Sequence, residues 1–398
     1  MFKFNFDLDD LLDDPELNTI HNEPPSVQLD ISDNYHSSTE ATCKELSLQD
    51  LLDALPSVIS CSPLVIPLAD GTKSVTLTRR DLFDARFQLI AEGNAGSVPD
   101  ADDDDERKKA IESTLTVGEE HRHVSALRFI EAPSDLVPHV YEGGLKTWEC
   151  AMDLVDYLDS NNSLEGFRGQ DIMELGCGTA IPSLYILHQL FSSSNTSSLP
   201  ETTVYLQDYN DSVLELVTFP NVLLTWYLSP ASLSYRTSQS SSPDFDADSL
   251  PFPNPPEPFE LPITPSLKSA FLTSLNPETY NISLRFFSGS WSSFSTLLPS
   301  LHPTNFNLVL TSETIYRMDS LPSLIQTLRL ASSPKSTTTS DSTTQGECIV
   351  AAKVLYFGVG GGVSEFIDYM AKNDIGKARV VKERKMGVGR VIMSLEFH

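Results

Sequence analysis

The chain has 398 residues, and 27 Lys and Arg against 55 Asp and Glu leave a formal charge of −28. Such acidity offers no basic footprint for phosphates, so direct nucleic-acid binding is not expected and a polypeptide partner is expected to be basic. The apolar fraction of 40 % is below the ~45–50 % of an ordinary globular chain, so a core must share the chain with polar segments.

Residues 1–130 read as an acidic, mostly disordered arm. The segment through Asp135 holds 28 acids and 11 bases, a net of −17, and the rest of the chain nets −11. PELNTIHNEPPS and the run Asp102 to Asp105 bury too little apolar surface to offset ordering entropy. Two pieces depart from this. FKFNFDLDDLL alternates Phe2, Phe4 and Phe6 and then spaces Leu8, Leu11 and Leu12 helically. It reads either as a terminal element docking back on the core or as a linear motif for a partner. Residues 63–90 are able to pair as short strands. The start has no basic n-region, so it does not read as a signal peptide. No stretch reaches ~18 uncharged apolar residues, so no transmembrane helix or membrane partner is expected. Five cysteines without CxxC spacing argue against a disulfide framework or zinc cluster and fit a reducing compartment.

Residues 131–398 alternate helices and strands. LKTWECAMDLVDYLDS puts Leu145, Trp148, Met152, Val155 and Leu158 on one helical face. QDIMELGCG is a short buried strand ending in glycines, IPSLYILHQLF a helix and TVYLQD a second strand. DSVLELVTFPNVLLTW starts as a helix that Pro220 interrupts. ISLRFFSGSW, FNLVLTSETIY, ECIVAAKVLYFG and RVIMSLEFH are further strands, with DSLPSLIQTLRL and VSEFIDYMAKN as helices between them. This alternation predicts a parallel α/β sheet. SSSNTSSLP and the Ser- and Pro-rich segments 229–265 and 331–346 read as surface loop insertions, because such runs do not join a buried sheet.

DIMELGCGTAIPSL carries the chemistry. A strand ends at Glu174, and Gly176-Cys177-Gly178 turns into a helix whose first N–H groups are free. A dinucleotide fingerprint needs a third glycine where Ile181 stands, and no Gly-Lys-Ser/Thr follows for a phosphate loop. S-adenosylmethionine remains. It has no phosphate to cradle, its amino-acid part can meet Glu174, and its ribose hydroxyls can meet Asp208 at the end of the second strand. The pattern resembles the seven-strand class I methyltransferase superfamily. That resemblance implies a Rossmann-like sheet in the order 3-2-1-4-5-7-6, last strand antiparallel, with helices on both faces.

DLVPHVYEGGLKTWECAMDLVDYL, ELGCG, LQDYNDSVLELVTFPN, GSW and SETIY together are similar to the protein-histidine N-methyltransferase family, whose members methylate a histidine of a large-subunit ribosomal protein. The resemblance implies that Thr147, Trp148, Glu149, Cys150 and Ala151 lie on a helix covering the cofactor, with Gly176 under its methionine part. It further implies that Gln207, Asp208 and Tyr209 meet the adenosine, that Gly289, Ser290 and Trp291 flank the adenine, and that Ser312 lies beside the reacting methyl group. The tele nitrogen, a cytoplasmic and nuclear location and a monomer are also expected on this footing.

Glu313 and Tyr316 follow a strand at its C-terminal end, where open α/β sheets place their chemistry. They read as catalytic, and ExxY also resembles the DxxY of related lysine methyltransferases. A plain alternative is a helix N-terminal acid favoured by the macrodipole. His121, His123 and His139 lack a ligand cluster, so no metal is expected. Lysine methylation, or a non-catalytic scaffold holding a ribosomal protein, stays open beside histidine methylation.

Overall fold

The computed structural model describes residues 41–93, 143–161, 164–193, 200–239, 257–301, 306–332, 346–356, 360–385 and 387–398. The phenylalanine-rich start, Asp102 to Asp105, His121, His123 and His139 lie outside these residues. The strands are β1 (Lys44–Leu46), β2 (Val58–Leu68), β3 (Lys73–Arg80), β4 (Asp171–Leu175), β5 (Thr202–Asp208), β6 (Phe259–Pro262), β7 (Ile282–Ser288), β8 (Leu308–Ser312), β9 (Glu347–Lys353), β10 (Gly376–Arg384) and β11 (Arg390–Phe397). The helices are α1 (Leu48–Asp53), α2 (Leu82–Gly93), α3 (Glu149–Asn161), α4 (Ile181–Ser192), α5 (Phe219–Tyr227), α6 (Leu233–Gln239), α7 (Pro265–Leu275), α8 (Trp291–Leu297), α9 (Leu321–Ser332) and α10 (Val363–Lys372).

The main sheet runs β1-β7-β5-β4-β8-β9-β11-β10. Its last seven positions reproduce the expected order, with β11 antiparallel to both neighbours. The sequence did not point to the eighth strand, β1, which pairs antiparallel with β7 at the edge. Alternation along the strands splits the core in two. Ile172, Val204, Leu206, Phe286 and Leu310 face α3, α4, α5 and α7. Met173, Leu175, Tyr205, Phe287 and Val309 face α8, α9 and α10. Period-two alternation sends successive side chains to opposite faces, so a strand apolar throughout must be covered on both.

Two expectations need correction. Residues 44–93 are part of the fold, and Leu51, Leu52, Ile59, Ile66 and Leu77 lie within the main core. The segment 229–265 is not wholly a surface loop either. Ser229 and Ser232 are fully buried. At its far end β6 pairs with β2, Val58 opposite Pro262 and Cys61 opposite Phe259, in a second antiparallel sheet ordered β3-β2-β6. Prolines are tolerated there because β6 is an edge strand. Likewise Ala331 and Ser332 belong to α9 rather than to a loop.

Pro220 does not break its helix. One helical turn, Asp211–Val213, widens into a π turn over Leu214–Thr218, and α5 then starts with Pro220 in its first turn. That position needs no N–H from proline, and the π turn absorbs the mismatch. Helix α3 begins at Glu149, so Thr147 and Trp148 precede it. Gly143 and Gly144 just upstream hold positive φ, +87° and +106°, which no helix accommodates. The far part of α3 is anchored by Asp156, which accepts from the Ala69 amide at 2.8 Å and pairs with Lys382 and Arg384 of β10.

Candidate active site

The glycine loop follows β4. Gly176 and Gly178 have φ of +61° and +51°, the left-handed region that favours glycine. A Cβ on Gly176 would lie 2.7 Å from Thr314 Cγ2, and one on Gly178 would lie 3.1 Å from the Gly144 carbonyl oxygen. These glycines therefore let the SETIY turn and the backbone at Gly144 close on the loop. The Thr147 and Thr179 hydroxyls, 3.1 Å apart, join the stretch before α3 to the glycine loop.

Asp208 ends β5 and is buried. Its Oδ2 accepts from the Gly178 amide at 2.9 Å and its Oδ1 from the Asn210 amide at 3.1 Å. Burial raises its carboxyl to about 6, and these amides oppose the rise. Each carboxylate oxygen has more than one acceptor position, so two amides leave capacity for a diol. A Cβ on Gly144 would stand 3.4 Å from Oδ2, so glycine keeps that approach clear. The donor set fits S-adenosylmethionine: an acceptor with spare capacity for a diol, and glycines beside it whose missing Cβ atoms leave room for a ligand.

Gln207 is fully buried and works as a brace. Its Nε2 donates to the carbonyls of Asp208 and Gly289 at 2.9 and 2.8 Å, and its Oε1 accepts from Trp291 Nε1 at 3.0 Å. Trp291 is thereby fixed beside the glycine loop, where its Cζ2 would be 3.6 Å from a Cβ on Gly176. Ser290 caps α8 by accepting from the Ser293 amide at 3.3 Å. Gly289, at φ +118°, is required by the passing chain, since its Cβ would sit 2.6 Å from Cys43 Cα. Tyr209 follows Asp208 and is half-buried.

Glu174 is buried and braces α4, its Oε2 accepting from the Ser183 amide at 3.0 Å and hydroxyl at 2.5 Å. Burial pushes its carboxyl up to about 8. These bonds account for the acid at this position through packing alone, so its expected contact with the amino-acid part of the cofactor stays an expectation.

The third group gathers around Glu313. Ser312 ends β8, and Glu313 follows with φ +59°, uncommon for a residue with a side chain. Its amide donates to the Ala351 carbonyl at 2.9 Å, and Thr311 Oγ1 donates to the Leu175 carbonyl at 2.8 Å. The strained residue is thus tied to β9 and the preceding strand end to β4. Glu313 is not at a helix N-terminus, since α9 starts at Leu321. Its Oε1 accepts from the Cys150 amide at 3.4 Å and lies 3.5 Å from Lys353 Nζ. Its Oε2 is buried with no hydrogen-bond partner among the described residues. Lys353 also pairs with Glu149 at 3.0 Å and sits 4.5 Å from the Trp148 ring centroid. Ala151 continues α3 beside them, its amide donating to the Trp148 carbonyl at 3.3 Å.

Tyr316 is buried and packs edge-on against Tyr356, ring centroids 6.4 Å apart. Burial, then the Glu313 charge, pushes the Tyr356 hydroxyl and the Cys150 thiol up, so both stay protonated. Sequence reasoning missed Lys353 and Tyr356. Their one signal was a lone cation ending the otherwise apolar strand ECIVAAK.

No family model matches the chain. Histidine protein methyltransferase 1 of Saccharomyces cerevisiae is 34 % identical over 297 residues, which cover 74 % of this chain and 68 % of that one. The protein of the same name from Schizosaccharomyces pombe is 31 % identical over 325 residues, 81 % and 77 % of the two chains. Among solved structures, the rRNA methyltransferase aviRa of Streptomyces viridochromogenes aligns over 65 % of this chain and 87 % of its own at 14 % identity, with a TM-score of 0.33, a likeness too low to carry any argument. Sequence kinship over most of both chains shows that this protein belongs to the histidine protein methyltransferase family: it is a methyltransferase, and its cofactor is S-adenosylmethionine.

Proposed function

We propose that the protein methylates the tele nitrogen of a histidine in a basic large-subunit ribosomal protein, in the cytoplasm and nucleus. The carrying observation is Glu313, a buried carboxylate at the end of β8 with one oxygen held and the other without a partner. When bound, S-adenosylmethionine supplies a methyl group on a sulfonium sulfur, which an imidazole nitrogen takes with its lone pair while the electrons of the broken C–S bond stay on sulfur. A neutral imidazole has one N–H donor and one bare nitrogen. Glu313 Oε2 accepts the N–H and so presents the other nitrogen to the methyl group. It also faces the positive charge that the ring gains on transfer, in a site where burial strengthens the attraction. No strong base is required, because imidazole with an unperturbed pKa of ~6.5 is mostly neutral at pH 7. Tyr316 supports Tyr356, which borders this pocket.

Lysine methylation, left open by ExxY, would need an ammonium of pKa ~10.4 to shed its proton. Lys353 already occupies Glu313 Oε1 with an ammonium, so one carboxylate oxygen is left for a substrate, which matches the single N–H of a neutral imidazole. The net charge of −28 suits a basic ribosomal protein, which it draws by long-range attraction. Five free cysteines suit a reducing compartment, and no helix among the described residues is long and apolar enough to cross a membrane. The test is incubation with methyl-labelled cofactor and purified ribosomal subunits, followed by hydrolysis and amino-acid analysis. Tele-methylhistidine is the expected product. Labelled lysine, or no label, would overturn the reading.

A further inference from the structure

We infer that Lys353 is a positioning residue that decides which imidazole nitrogen is methylated, by pinning one oxygen of Glu313 so that only the other meets the substrate. The inference rests on the proposal that Glu313 accepts the imidazole N–H.

Lys353 closes β9, and its side chain is only 14 % exposed. It meets three groups from two segments far from it in sequence: Glu149 at the start of α3 (3.0 Å), the face of the neighbouring Trp148 (4.5 Å to the centroid) and Glu313 after β8 (3.5 Å). The backbone carrying it is fixed as well, since the Lys353 amide donates to the Tyr356 hydroxyl at 3.2 Å. A carboxylate turns readily about its last torsion, which is broad and two-fold. The Cys150 amide at 3.4 Å is a long bond to Glu313 Oε1, and the Cys150 thiol and the Tyr356 hydroxyl, both neutral, also reach this carboxylate. Lys353 adds a charge-assisted contact to that same oxygen and is itself held from the other side by Glu149 and by the Trp148 ring. Oε2 is thereby left buried and without a partner, pointing one way.

Charge accounting agrees. Glu149, Lys353 and Glu313 together carry −1, which matches the single positive charge on a freshly methylated imidazole. Without Lys353 the pair of carboxylates would carry −2, and Oε1 would lose its one charged partner, so the carboxylate would be less firmly oriented toward the substrate ring.

The test uses the full chain, methyl-labelled cofactor and purified large ribosomal subunits, with tele- and pros-methylhistidine separated after hydrolysis. Lys353→Met is expected to lower kcat by about ten- to a hundredfold, the cost of a misplaced reacting group. It should also raise the minor isomer at least tenfold over wild type and keep the cofactor Kd within about twofold. Lys353→Arg, which keeps the cation, is expected to restore the single isomer. Glu149→Gln removes the outer anchor from a half-exposed site, so it tests the clamp even if Lys353→Met folds poorly, and it should raise the minor isomer to an intermediate level. A wild-type enzyme that labels no histidine would overturn the proposed function. A wild type that makes one isomer, beside Lys353 and Glu149 variants that make the same isomer at the same rate, would overturn the Lys353 assignment alone.

Discussion

Two carboxylates mark the ends of the site, and they are held in opposite ways. Asp208 is gripped by backbone amides of the glycine loop and of the turn after β5, one to each oxygen. Glu313 has one oxygen on a lysine and a distant amide, and the other has no partner among the described residues. Backbone donors come with the fold, so they suit an acceptor that must stay still and bind. A side-chain clamp with an open oxygen suits an acceptor that meets a changing partner. Backbone strain follows the same division. Asp208 sits in regular β5, whereas Glu313 holds φ +59°, a conformation that costs about 1–3 kcal/mol and persists only where surrounding contacts impose it.

Substitutions at the two acids sharpen this contrast. The largest effect is expected at Glu313. Glu313→Gln keeps the shape and removes the charge, so kcat on ribosomal subunits should fall about 10²-fold or more, while calorimetry finds the cofactor Kd nearly unchanged. Asp208→Ala should do the reverse. It removes a charged acceptor and leaves the Gly178 and Asn210 amides unpaired, weakening cofactor binding by about 1.5–3 kcal/mol. If instead Glu313→Gln abolished cofactor binding and Asp208→Ala spared it, the division of labour would be wrong.

The smallest effect belongs to Glu174, which braces α4 through Ser183. Burial raises its carboxyl to about 8 from an ordinary ~4.3, so the folded state holds a proton that the unfolded chain gives up. Its stabilising share is complete below pH ~4, declines as pH rises and is gone above pH ~8. Asp208, raised by burial to about 6, adds to the decline in the lower half of that window. Glu174→Gln cannot ionise, so its melting temperature should gain steadily on wild type as pH rises from ~4 to ~8. A gap that stayed constant across the window would show that Glu174 is not buried as a protonated group.

Local chemistry made much of the site readable. The strand ending ELGCG, the acid of LQDYN and the alternation of strands with helices are set by turn residues and periodicity within about ten residues. They pointed to the parallel sheet and to Asp208 and Glu313 as candidates, whereas Trp291 entered only through the family resemblance. The helix containing Trp148 was drawn four residues too long, because apolar spacing was weighed above the Gly143–Gly144 pair that stops it. The limits are equally physical. Strand β2 finds β6 across about 200 residues of sequence, and nothing in either segment names the other, so β2 reads as pairing only within 63–90 and β6 reads as loop. Only the assembled sheet shows that Gln207 braces Trp291, that Glu174 braces α4 and that Gly289 yields to the chain at Cys43. Lys353 is the plainest case. One cation at the end of an apolar strand reads as a solvated terminus, and it became a clamp only when β8, β9 and α3 packed together and left Glu313 a single oxygen to offer.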